Sequence, residues 1–391
     1  MSHTADYLSR SLPEMNAALQ RFEHRVSAAL EAAPPSKQRV KLALRRAGDG
    51  RCPVWIKRLS PDIILRYGDD LADLFCRWPD DAVRVVPYDL WLGYQPPGRR
   101  PPIDPVEIAT RDAEWEDEWG TRWAHAYGGV GATPVDHPLK DWSQLDDYLA
   151  RRLPDPHAPG RLDAGAAALK QYGATRYCMA TIHLALFERL HAVRGMMEVF
   201  SDFYAYESEI RRLIAALAEY ALVLIRRWGE LGADAVFLTD DWGSQTGLMI
   251  SPEMWRRLFK PHYAAMFAEC HRWGMDVIFH SCGNVLGIVG DLIEVGMDVL
   301  DPVQPGAMDM QELVRRHGGQ VSFCGAVDLQ QLLCRGTPQQ VRSEVRRIMD
   351  LLGRPSHGGY LVSPANVLTP EIPFENLVAL FEAAHTGCTS G

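Results

Sequence analysis

A repeated unit constrains this chain more than any other feature. A short run of strand-type residues is followed by a stretch with helical patterning, eight times over. The runs are Cys52–Ile56, Ala82–Val86, Thr175–Thr181, Ala235–Thr239, Val277–His280, Asp298–Asp301, Val321–Cys324 and Gly359–Val362. Start and stop signals frame the intervening helices. Ser251-Pro252-Glu253 reads as a cap with proline in the first turn, and Thr337-Pro338-Gln339-Gln340 as a capping box. Gly232, Gly274 and Gly296 fall where helices should end. Strand–helix alternation predicts a parallel sheet, and eight such units predict a single closed (β/α)8 barrel, an α/β fold. A chain of 391 residues suits one such barrel. An open doubly wound sheet is the alternative, but no glycine-rich phosphate fingerprint follows any of the strands.

Two segments stand outside the rhythm. Residues 1–50 read as an N-terminal helical cover: apolar residues recur at helical spacing from Leu12 to Ala32, Pro34-Pro35 stops them, and Ser36 is placed to cap a second helix through Leu44. Residues of about 93–140 read as an insertion. Prolines cluster from Pro96 to Pro105, then Trp115, Trp119, Trp123, His125 and Tyr127 alternate with polar residues. That texture predicts a hairpin whose aromatics either pack on one another or wall a substrate pocket. The barrel itself is expected over residues 51–386, with a tail at 387–391.

Composition excludes several classes of function. A formal net charge of -9 argues against a nucleic-acid binder. No run of about 18 apolar residues predicts a membrane span. The polar first residues lack a signal-peptide core. Eight scattered cysteines in a long chain point to a reduced cytoplasm, without disulfides.

In a barrel of this kind chemistry gathers at the C-terminal ends of the strands. There the sequence places Lys57-Arg58, Asp89, His183, Asp240-Asp241, His280 with Cys282, Asp301, Cys324 and Asn366. Side chains two apart on a strand share a face, so His280 and Cys282 point the same way. An imidazole and a thiol so placed form half of a tetrahedral zinc site, and Cys324, two units on, is a candidate third ligand. Asp240 and Asp241 face opposite ways, so only one enters the site. It could bind metal, orient a ligating histidine or take a proton, or it could simply cap the next helix. Asp89 carries the same choice. Arg58, with Lys57, is suited to hold a substrate carboxylate or to sit in an ion pair.

Several stretches resemble the uroporphyrinogen decarboxylase superfamily. They are Thr239–Trp255, Phe279-His-Ser-Cys-Gly-Asn284, Asp301-Pro-Val-Gln-Pro305, Gly336-Thr-Pro338 and Gly359-Tyr-Leu-Val-Ser-Pro364. The likeness covers roughly residues 50 to 385 and implies the same (β/α)8 barrel. His280 and Cys282 resemble the zinc motif of the corrinoid-linked methyltransferases and O-demethylation enzymes. In those a later cysteine, after the last strand, completes the set. Here that loop reads Ser363-Pro-Ala-Asn366, which leaves Cys324, Asp240 or Asn366 as the third ligand, in that order of preference. The decarboxylase branch resembles the chain less. Its arginine-rich segment after the first strand is replaced by Lys57-Arg58-Leu59-Ser60-Pro61, and Asp89 is the position that matches its aspartate.

The expected function is therefore that of a zinc-dependent methyltransferase-like enzyme. It would activate a thiol on a small-molecule substrate, with the methyl group drawn from a corrinoid on a separate protein or from a methylated small molecule. His280 and Cys282 would bind the metal, while Asp240 or Asp241 orients or binds. A metal-free decarboxylase or lyase led by Asp89 and Arg58 is the alternative, and a non-catalytic barrel that binds a small molecule is a third reading.

Overall fold

The structure, a computed structural model, describes residues 9–47, 51–99, 101–127, 131–354 and 359–386. The tail at 387–391 and the first eight residues of the expected cover lie outside them.

Ten strands form. They are β1 (Ala82–Val85), β2 (Ala113–Glu116), β3 (Arg122–His125), β4 (Thr133–Asp136), β5 (Tyr177–Ile182), β6 (Ala235–Thr239), β7 (Asp276–His280), β8 (Val299–Val303), β9 (Ser322–Val327) and β10 (Tyr360–Pro364). Seven of them make one curled parallel sheet in the order β1-β5-β6-β7-β8-β9-β10. Nearly all of their residues are buried, as expected of strands covered on both faces.

The segment Cys52–Ile56 fills the eighth place. Trp55 N–H donates to Val362 O at 2.8 Å on one edge, and Asp81 N–H to Val54 O at 2.8 Å on the other. It makes bridges rather than a regular strand, because Pro53 lacks a donor and Ile56 and Lys57 turn their N–H groups to the Asp80 carboxylate instead. With it the sheet closes into the expected α/β barrel. Alternate strand residues point inward and form one interior cluster of Trp55, Ala82, Tyr177, Met179, Ala235, Phe237, Ile278, Val299, Cys324 and Leu361. The other face packs on the surrounding helices.

The N-terminal helices cover the barrel, each in its own way. Helix Leu12–Ala32 lies on helix Pro61–Arg77, with Phe22 edge-on to Phe75. Helix Lys37–Leu44 plugs the end where the strands begin, and its Val40 and Leu44 join the interior cluster. Ser36 does not cap that helix through its side chain. Its hydroxyl donates to Asp81 O at 2.9 Å, and its N–H to Thr175 O. The tertiary partner wins over the local one.

The insertion is a three-stranded antiparallel sheet, β2-β3-β4, rather than a hairpin. The third strand, Thr-Pro-Val-Asp, is largely exposed and shows no apolar alternation for a sequence pattern to detect. Trp115 and Trp123 face each other across the ladder and, with Trp119, are buried in packing. Asp117 holds this unit to the barrel. It accepts from Trp119 N, Thr121 N and Trp123 Nε1, and pairs with the buried Arg189 at 2.8 Å. Among the described residues, no helix is long and apolar enough to cross a membrane.

Candidate metal centre

β7 and β8 run side by side, and their register sets His280 against Asp301. The side chains meet, with His280 Nδ1 2.5 Å from Asp301 Oδ2. Asp301 is wholly buried, and burial by itself would raise its carboxyl. The Arg58 guanidinium wins: its Nη1 and Nη2 each lie 2.9 Å from one Asp301 oxygen. Together with the His280 hydrogen bond, it holds the group far below the ordinary carboxylate range. Arg58 is itself buried, stacks over the Trp55 ring and donates to Pro364 O at 3.2 Å. The guanidinium is thus bidentate to a protein carboxylate.

An ionised Asp301 can only accept, so the His280 proton sits on Nδ1 and the Nε2 lone pair faces the mouth. Nε2 lies 3.5 Å from Cys282 Sγ and 3.8 Å from Asp241 Oδ1. The Cys282 N–H donates to the same Asp241 oxygen at 2.7 Å. One ligand atom from each of Asp241, His280 and Cys282 lies within 4.8 Å of the others. Burial and the Asp241 carboxylate push the Cys282 thiol up. Asn366 Nδ2 donates toward its sulfur at 3.8 Å.

Two glycines allow Asp241 and Cys282 to approach. A Cβ on Gly243 would lie 2.5 Å from Cys282 O and 2.6 Å from Asn284 N. Gly283, with φ +79°, would put its own Cβ 2.4 Å from the Gly243 backbone.

The remaining sequence candidates sit elsewhere. Asp240 is fully buried and turned away from the mouth. It accepts from Leu186 N, Phe187 N and Glu188 N at 2.8–3.0 Å and from the Tyr263 hydroxyl, capping helix Phe187–Arg194. Burial raises it to about 6 against those hydrogen bonds. Of the adjacent pair it is therefore Asp241 that enters the site. Cys324 points into the barrel interior below Asp301, where burial pushes its thiol well up, and it is not among the clustered donors. Asp89 closes a turn by accepting from Trp91 N and Leu92 N, each at 2.9 Å.

Glu188 went unnoticed in the sequence. It opens the helix after β5, takes the Asp241 N–H, and is raised well above the usual range by burial and by the Asp241 and Asp240 charges. An acidic residue in the first turn after a strand end was the available signal, but helix starts favour acids for ordinary reasons. Arg84 was also missed. It reaches Thr181 Oγ1 at 3.1 Å over the Phe237 ring, and burial beside Arg58 lowers it to about 10.

The donors suit a metal. Imidazole, thiolate and carboxylate are zinc ligands, and three of them with one position open is a catalytic arrangement. A carboxylate behind the ligating histidine is the usual support.

The profile of the family described as uroporphyrinogen decarboxylase (URO-D) matches residues 182–387, just over half of the chain. The chain belongs to the uroporphyrinogen decarboxylase family. A uroporphyrinogen decarboxylase of Thermus thermophilus is 29% identical over 185 residues, 47% of this chain and 50% of that one. One from Nostoc punctiforme is 25% identical over 177 residues, 45% and 47% of the two chains. The chain thus spans about half the length of the curated relatives it matches. Among solved structures, a methyltransferase from Methanosarcina mazei superposes with a TM-score of 0.65 at 16% identity, over 90% of this chain and 99% of that one. That likeness is one of fold. The matched region of the family profile includes all three clustered donors as well as Asp301 and Asn366.

Proposed function

We propose that this member of the family is a zinc-dependent methyltransferase-like enzyme that activates a thiol. The observation that carries the reading is the cluster of Asp241, His280 and Cys282, with Asp301 and Arg58 behind the imidazole. These three residues would hold the metal. When bound, zinc supplies the positive charge that favours thiolate over thiol on itself and on its ligands near neutral pH.

The chain's own groups do the rest. Asp301 keeps the His280 proton on Nδ1 and so leaves Nε2 free as a donor to metal. Arg58 keeps Asp301 ionised in a buried place. The Asn366 amide donates toward Cys282 Sγ, which favours the anionic sulfur. Burial and the neighbouring Asp241 and Asp240 charges raise the Glu188 carboxyl, which accepts the Asp241 N–H. The methyl donor is a methylated corrinoid on a separate protein or a methylated small molecule, and the substrate is a small molecule. Less supports a carboxy-lyase, since Arg58 is already bidentate to Asp301 and Asp89 already closes a turn.

The test is elemental analysis of the purified protein beside D241A, H280A, C282S and C324S. Near-stoichiometric zinc in wild type and C324S, lost from the other three, supports the reading. Equal and negligible zinc in all five would end it in favour of a lyase or a binding barrel.

A further inference from the structure

A cavity of about 310 Å³ lies between the loop after Ile56, the turn at Asp89, the insertion and the loop after β10. Its walls include residues that neighbour the site just described along the chain. Leu59 follows Arg58, Val367 follows Asn366, and Trp91 sets its ring edge-on to His183 at the mouth. The apolar part of the wall includes Leu59 and the Trp91 indole. The polar part includes Asp62, Asp89, His125 and Glu371, and no lysine or arginine lines it among the described residues. Arg66, on the adjoining helix, is turned to Pro370 O and the Tyr67 ring.

The imidazole decides the kind of ligand. His125 is 7% exposed. Its Nδ1 lies 2.8 Å from Gly131 O, and a carbonyl only accepts, so the proton is on Nδ1. Nε2 is buried and has no partner among the described residues. With the proton on Nδ1, the neutral ring presents Nε2 to the cavity as an acceptor. A buried polar atom without a partner is costly, and in a cavity it marks what the ligand must bring. Asp89 takes both of its backbone donors on Oδ1, leaving the other oxygen. Asp62 stands close enough to Glu371 that the second charge adds to burial in raising it. Three carboxylates and an imidazole lone pair ask for donors and positive charge, and an indole wall accommodates a cation.

We propose that this cavity binds the ammonium end of a cationic amine, which makes the substrate or methyl carrier of the neighbouring centre a protonated amine rather than a carboxylate. The inference rests on the methyltransferase reading for its role, but the binding itself does not depend on the metal.

Calorimetric titration with hexylammonium, 1-hexanol and hexanoate at pH 7.5 tests it, in wild type, D89N, E371Q and C282S. Expected are saturable binding of hexylammonium about tenfold or more tighter than hexanol, no binding of hexanoate, and a loss of about tenfold in D89N and in E371Q, the latter at an exposed position that folding tolerates. C282S should bind hexylammonium as wild type does, so a failed metal reading leaves this result standing. Hexanol or hexanoate binding as tightly as the ammonium, no saturable ammonium binding, or wild-type affinity for the ammonium in both acid variants would overturn the proposal, whatever the zinc content.

Discussion

His280 Nδ1 and Asp301 Oδ2 lie 2.5 Å apart across two neighbouring parallel strands, and Arg58 holds both oxygens of the same carboxylate. One buried carboxylate therefore orients a metal-facing imidazole and balances a buried cation. Removing it separates the two roles. D301A should cost about 3–5 kcal/mol, because it leaves Arg58 buried without a counter-charge. D301N, which keeps the shape, should lose less stability and still weaken zinc binding about 10- to 100-fold by releasing the His280 tautomer. Urea unfolding and competition with a chelator read the two effects independently.

The adjacent acids should behave oppositely. D240A removes the acceptor of three backbone N–H groups and of the Tyr263 hydroxyl from a fully buried cap, so it should destabilise by at least about 2 kcal/mol. D241A should leave stability within about 1 kcal/mol and abolish metal binding. Thermal unfolding with zinc analysis of both variants checks the contrast.

G243A should disturb the centre without touching a donor. Its Cβ would meet backbone atoms of Cys282, Gly283 and Asn284 at 2.5–2.7 Å, and backbone cannot rotate away as a side chain can. The expected result is a loss of about 1–3 kcal/mol together with reduced zinc content. Full zinc occupancy in a stable G243A would show that the Asp241–Cys282 approach tolerates slack.

Asp80 should give the fold a pH dependence. It is buried and accepts from Ile56 N and Lys57 N, yet burial raises it to about 7. Its folded value thus lies above the unfolded one, near 3.9. Its contribution is complete below about pH 4 and is lost as pH rises through about 7. Between pH 5 and 8 the wild type should lose about 2–3 kcal/mol relative to D80N, whose side chain does not titrate. Urea unfolding at several pH values in this range measures it; parallel curves for the two proteins would contradict it.

Much of this protein is determined by local sequence. Buried strand runs, proline-led helix starts and glycine stops follow from interactions between near neighbours, so eight strand–helix units and a barrel were legible. Alternation put His280 and Cys282 on one side only if the strand ran on to Cys282; β7 ends at His280, and the pair meets where Asp241 holds the Cys282 N–H. Ser251 and Thr337 cap their helices as their spacing implies. Tertiary structure decided the rest. Nothing local says whether Asp240 or Asp241 enters the site, because that depends on the helix N-terminus that Asp240 finds 52 to 54 positions earlier. Nothing local says that Arg58 belongs to Asp301, 243 positions away. The third strand of the insertion, Thr133–Asp136, forms by pairing with β3 rather than by any pattern of its own. Such partners are chosen when the sheet curls and closes. Closure fixes pairs by geometry in space, and a burial pattern read along the chain contains no term for it.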